Sequence, residues 1–187
     1  GAPGADDSGE TDSGAAHVIY GSAGGLTVSG DQLWHQDTSG VRGVGEDGDG
    51  FGEALSVGDF DCDGSDDLAI GVPREGIGSA EDAGAVSVLY GRASGLSSVD
   101  DLWYQGSGGV NGSAERSDAF GFALAAGNFN GDIDGSTGHV CDDLAIGAPD
   151  EDIGSTANAG YVYIIDGSAT GLETVGDQGF YQNLTSL

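Results

Sequence analysis

Four carboxylates stand at alternating or near-alternating places in Asp59-Phe60-Asp61-Cys62-Asp63-Gly64-Ser65-Asp66-Asp67, and Leu68-Ala69-Ile70-Gly71-Val72-Pro73 follows at once. Alternate residues of a tight loop direct their oxygens inward, so Asp59, Asp61, Asp63 and Asp67 are the candidate ligands of a hard cation. Gly64 permits the sharp turn, and the backbone carbonyl of Ser65 is the expected fifth donor. Calcium accepts about six to eight oxygens at about 2.3–2.6 Å in tolerant geometry, whereas magnesium wants a strict octahedron and keeps its waters. Crowded carboxylates repel one another without a cation, so metal binding is expected to be coupled to folding. The plain alternative is an Asp-rich turn in solvent. The apolar run that follows, and its recurrence along the chain, favour the metal.

A modified copy begins at Asn128 and ends in Leu144-Ala145-Ile146-Gly147-Ala148-Pro149. Asn128, Asn130 and Asp132 take the first ligand places, and Ile133 replaces the glycine. The closing acid, Asp143, arrives late, after the inserted Asp134-Gly135-Ser136-Thr137-Gly138-His139-Val140-Cys141. Asp134 is a local candidate donor. Asp142 is the weaker candidate for closure, since Asp143 precedes Leu144 as Asp67 precedes Leu68. Two neutral amides lower the charge, so weaker calcium binding is expected here. Cys62 and Cys141 lie in or beside the two loops and are the expected disulfide pair. Two free thiols, or bridges to chain outside this sequence, are the alternatives. Two cysteines without partner ligands at zinc spacing do not suggest a thiolate metal site.

The elements that carry these loops repeat. Phe51-Gly52-Glu53-Ala54-Leu55 returns as Phe120-Gly121-Phe122-Ala123-Leu124, and the segment from Gly1 parallels those from Gly71 and Gly147. Short apolar runs end in Tyr20, Tyr90 and Ile165, glycine turns follow, and each unit closes on an aromatic run: Leu33-Trp34-His35-Gln36, Leu102-Trp103-Tyr104-Gln105 or Gly179-Phe180-Tyr181-Gln182. The runs are short, β-branched or aromatic, and bounded by Gly, Asp and Ser, which describes strands. Strands are predicted at about 51–58, 67–71, 85–90 and 101–105, at about 120–127, 143–147, 160–166 and 179–183, and at about 15–20 and 32–36. The organisation is a partial blade with connector over 1–50, a complete blade with a calcium loop over 51–119, and a complete blade with an expanded loop over 120–187. Four-stranded units at this period predict an all-β chain of β-propeller-type blades of four antiparallel strands, about two and a half of them. The small-residue first strand suits the inner edge and the aromatic fourth strand the outer edge.

Composition narrows the partners. The chain has 187 residues, with 32 acidic side chains against 4 arginines and no lysine, a net charge of −28. Such a field repels nucleic acid and anionic membrane and attracts divalent cations and basic surfaces. It also keeps the chain soluble. Glycine is abundant (38), yet 37% of residues are hydrophobic, which points to a turn-rich folded chain rather than a disordered one. No run is apolar and long enough for a membrane-spanning helix. The chain opens inside a motif, as expected of a mature piece or a fragment. Acidic calcium loops and two cysteines suit an extracellular setting, secreted or at a cell surface.

The Phe-Gly start, the Asp-x-Asp-x-Asp-Gly-x-x-Asp loop and the Gly-x-Pro end together resemble the FG-GAP repeats of integrin alpha-subunit propellers, repeats also found in bacterial secreted proteins. The resemblance spans two full repeats and the latter half of another. It implies calcium held between the first and second strands of each blade, a seven-bladed ring in the complete domain, and adhesion or binding rather than catalysis. Such repeats also occur attached to enzymes. Two and a half units cannot close that ring, which raises missing sequence, association of copies or open stacking.

Three function classes follow: a module whose loops bind a protein or glycan, a subunit whose incomplete blades are completed between chains by self-association or in a head-to-tail filament, and a non-catalytic propeller on a secreted enzyme. The acidic loops after each Gly-x-Pro, with Glu75 and Glu151, are read as solvated. Trp34 and Trp103 are read as packing between blades rather than as a sugar platform. His17, His35 and His139 show no ligand spacing, and Asn111-Gly112-Ser113 and Asn183-Leu184-Thr185 match a glycosylation sequon. No catalytic constellation recurs.

Overall fold

The computed structural model describes residues 1–182. Among the described residues the strands are β1 (Ala16–Ser22), β2 (Gly25–Trp34), β3 (Leu55–Gly58), β4 (Asp67–Val72), β5 (Ala85–Leu89), β6 (Asp100–Trp103), β7 (Ala123–Gly127), β8 (Asp143–Ala148), β9 (Tyr161–Asp166) and β10 (Glu173–Phe180). They form a two-stranded sheet, β1–β2, and two four-stranded sheets, each an antiparallel meander in chain order. The fold is all-β, and the sheets are propeller-like blades. Among the described residues no helix is long and apolar enough to cross a membrane.

Every residue of β4 and of β5 is buried, as befits central strands covered on both faces. Two apolar clusters lie between consecutive blades. Ala16, Trp34, Phe51, Leu68, Ile70 and Leu89 fill the first, and Phe60, Val88, Trp103, Phe120, Leu144 and Ile146 belong to the second. Trp34 and Trp103 are therefore interblade packing. Phe180, at the matching place of the last blade, is 56% exposed. The small-residue first strands lie together, β3 against β7.

Two strand expectations need correction. The strands expected to start at Phe51 and Phe120 begin only at Leu55 and Ala123. The Phe-Gly pair is a stitch instead. Phe51 N–H donates to Ser13 O (2.9 Å) and Gly52 N–H to Gly71 O (3.0 Å); Phe120 and Gly121 repeat this on Ala83 O (2.9 Å) and Gly147 O (3.1 Å). The phenyl rings are fully buried. Chain approach is so close here that a β-carbon on Gly71 would stand 2.1 Å from Gly121 O, which explains why only glycine fits.

The fourth strands, expected at 32–36 and 179–183, run instead over Gly25–Trp34 and Glu173–Phe180. In the first unit the Ser22–Gly25 turn is tight enough to close a hairpin directly, with a register shift between Val18 and Tyr20. In the second unit the matching turn is captured by its neighbour, as Leu96 N donates to Gln32 Oε1 (2.9 Å) and Gln32 Nε2 to Leu96 O (3.0 Å), and β6 starts late. The sequon at Asn183 lies outside the described residues.

Candidate metal centre

The β3–β4 loop brings Asp59, Asp61 and Asp67 together, with one oxygen from each within 4.8 Å of the others. Backbone geometry holds them there. Asp59 Oδ1 and Oδ2 accept the N–H groups of Asp63 and Gly64, both at 2.9 Å. Asp67 opens β4 and is buried; its two oxygens accept the N–H groups of Gly91 and Phe60, both at 2.7 Å. Gly64 takes φ +87°, the left-handed conformation that the turn demands. Burial pushes the Asp67 carboxyl up to about 7, and the nearby charges of Asp61 and Asp59 push the same way, against its backbone hydrogen bonds. Asp59 is raised for the same leading reason, burial. Three acids this close are poor neighbours unless a proton or a cation lies among them. The donor set is all oxygen, which suits calcium, and these three residues would hold the ion.

Asp63, the fourth expected ligand, is not in that triad. Its Oδ1 accepts Ser65 N–H (2.8 Å), and its Oδ2 accepts Arg92 Nη1 (3.1 Å). Arg92 also donates to Asp61 Oδ2 at 3.0 Å. Ser65 is thus tied into the loop through its N–H.

The loop after β7 is arranged differently. Asn128 Oδ1 accepts from Gly131 N, and Asn128 Nδ2 donates to Asp132 O (2.6 Å). Asn130 Oδ1 accepts from Asp132 N (2.9 Å). Asp134 caps its own turn by accepting from Thr137 N (3.0 Å) and from Ser136. Asp143, fully buried, accepts from Phe129 N (2.7 Å) and Gly167 N (2.9 Å) as Asp67 does from Phe60 and Gly91. Asp132, Asp134 and Asp143 do not join in a three-acid group; among the described residues that arrangement occurs at Asp59, Asp61 and Asp67.

The inserted segment reaches over to the preceding blade. Cys141 is disulfide-bonded to Cys62, with their Cα atoms 4.8 Å apart. Asp142 N donates to Asp59 O (2.9 Å), and Asp59 N donates to Asp142 Oδ2 (3.2 Å). The His139 ring covers Gly64 so closely that a β-carbon there would lie 2.5 Å from its Cε1. The expanded copy therefore clasps the β3–β4 loop next to it.

A second set of groups escaped the sequence. Glu75 and Glu151, expected in solvated loops, are buried at the blade seams. Gln36 Nε2 donates to Glu75 Oε2 (2.5 Å), and Gln105 Nε2 donates to Glu151 Oε2 and to Tyr163 Oη (2.9 Å). Both glutamines close the aromatic runs of the preceding units, and that repeated Gln was the available signal. Burial, opposed by the glutamine hydrogen bond, pushes Glu75 and Glu151 each up to about 7.

Residues 51–89, from the Phe-Gly stitch through β5, match the family model of the FG-GAP repeat. This segment is an FG-GAP repeat. The FG-GAP unit is a non-catalytic propeller repeat that often binds calcium and occurs in extracellular proteins. Over 122 residues, 65% of the chain, the sequence is 34% identical to the phosphatidylinositol-glycan-specific phospholipase D of Rattus norvegicus, and it spans 14% of that protein's length.

Proposed function

We propose that this chain is a calcium-stabilised extracellular set of FG-GAP blades that acts in adhesion, recognition or structural assembly, without catalysis of its own. The observation that carries it is the converged Asp59, Asp61 and Asp67 inside the FG-GAP segment. The disulfide beside that loop supports an oxidising setting. Apolar surface for a partner stands in two places, the seam between the two-stranded sheet and the next blade, and the last blade. Ala16, Val18, Leu55, Val57 and Leu96 line a groove of about 430 Å³, and Phe122, Val162, Phe180 and Tyr181 are exposed on the last blade. Contiguous apolar surface of this kind marks interaction sites. A protein or glycan ligand, or a second copy, would dock there; the charge of −28 disfavours nucleic acid and anionic membrane.

A second reading is a non-catalytic propeller joined to a secreted enzyme, favoured by the likeness to a phospholipase D. Sedimentation velocity with calcium and with a chelator separates assembly from the monomeric roles. Assembly predicts concentration-dependent species that dissociate on chelation. A monomer indifferent to calcium removes the filament and oligomer readings.

A further inference from the structure

Arg92 is the cation that the β3–β4 loop already has. It sits in the turn after β5, whose preceding N–H, that of Gly91, is bonded to Asp67 Oδ1. One nitrogen, Nη1, bridges Asp61 Oδ2 and Asp63 Oδ2 at 3.0 and 3.1 Å. The remaining oxygen of Asp63 is held by Ser65 N–H, so the carboxylate faces the guanidinium and stays outside the triad. The corresponding residues of the other units are Ser22 and Ser168, which follow Gly21 and Gly167 as Arg92 follows Gly91. The arginine therefore belongs to the unit that gathers three carboxylates.

We propose that Arg92 is an internal competitor for the metal: its guanidinium pairs with Asp61 and Asp63 in the metal-free chain, offsetting one of their two charges, and is displaced from them when calcium binds. The proposal rests on the calcium reading of the site. A guanidinium bonded to two ligand carboxylates repels a divalent ion and keeps Asp63 from turning its Oδ2 inward. Bound calcium offers both carboxylates a stronger partner and releases the side chain. Competition sets affinity: the guanidinium relieves part of the repulsion in the loop when calcium is scarce, and calcium must exceed a threshold to capture Asp63. Gly91, Arg92 and Leu96 also line the apolar groove, as do Ser65 and Asp67, so the exchange occurs at the wall of that surface.

The test is calorimetric titration of the intact chain with calcium chloride, comparing the wild type with Arg92→Ala and with Arg116→Ala. Arg116 pairs with Glu81 on the surface and serves as a control for the loss of one positive charge. Arg92→Ala is expected to bind calcium roughly three- to tenfold more tightly, as fits removal of a partly exposed ion-pair network, with Arg116→Ala close to wild type. The four arginine side-chain signals in a nitrogen–proton correlation spectrum supply a second readout: that of Arg92 should move and sharpen on calcium saturation. Equal or weaker calcium binding by Arg92→Ala, or an Arg92 signal untouched by saturating calcium, would overturn the competition while leaving the metal site in place. Absence of saturable calcium binding in every protein would overturn the site itself and the proposal with it.

Discussion

Replacing Cys62 and Cys141 by alanine is expected to lower the stability of the chain by about 4 kcal/mol, the effect of opening a long closed loop in the chain-entropy view. The bridge joins residues separated by 79 positions and links two blades rather than two strands of one sheet. It also anchors the clasp: the two hydrogen bonds between Asp142 and Asp59 and the His139 ring over Gly64 depend on the inserted segment staying in place. Both cysteines are buried, so alanine also removes packed volume. For a domain of this size the loss corresponds to a fall in melting temperature of roughly 10 °C. Urea unfolding of the oxidised wild type against the double variant measures it. An unchanged midpoint would mean that the hydrogen bonds and the interblade core hold the loops without the covalent link.

A second large effect is expected from pH: in chelator, stability should fall as pH rises from about 5 to about 8. Glu75 and Glu151 are held at about 7 in the folded chain against an ordinary value of 4.5, and Asp49 at about 6 against 3.8, in each case chiefly by burial. Between these values the folded chain holds protons that the unfolded chain has released. The stabilisation is full below the unfolded values, is lost as pH rises towards the folded ones, and is gone above about 7. Linkage gives each glutamate up to about 3 kcal/mol over that interval. The surroundings agree. Glu75 faces Gln36, Asp49 and Glu46; Glu151 faces Gln105, Asp118 and Glu115, and the neighbouring acids push both glutamates the same way as burial does. A Glu75→Gln, Glu151→Gln double variant, which keeps the shape without the titration, should make the curve shallower, with Asp49 and Asp67 supplying what slope remains. Stability that rises over this range, or an unchanged slope in the variant, would contradict it. Chelator is needed because calcium prefers ionised carboxylates and so adds a dependence of opposite sign.

What could be read from the sequence was local. Leu68-Ala69-Ile70-Gly71 and Leu144-Ala145-Ile146-Gly147 announce buried central strands by composition, and the spacing of Asp59, Asp61 and Asp67 lies within one loop. The blade organisation followed from repetition alone. What stayed hidden depends on partners far along the chain. Phe51 and Gly52 look like the start of a strand, but their N–H groups are taken by Ser13 and Gly71. Glu75 looks like one more acid in a wet loop until Gln36, 39 residues earlier, is placed against it. The cysteines hinted that the expanded copy touches its neighbour, whereas its role as a clasp depends on where His139 and Asp142 land. Asp63 fitted the ligand pattern by spacing, and only the geometry shows its carboxylate bonded to Arg92.

The most direct measurement is the melting temperature in calcium and in chelator for the wild type, Asp59→Asn and Asn128→Ala. Asp59→Asn keeps the shape of the side chain and removes one charge from the triad, whereas Asn128 lies in the loop that gathers no three-acid group. A calcium centre at Asp59, Asp61 and Asp67 predicts that calcium raises the melting temperature of the wild type and of Asn128→Ala by similar amounts, and that Asp59→Asn loses most of that rise. Equal calcium shifts in all three proteins, or none in the wild type, would contradict it.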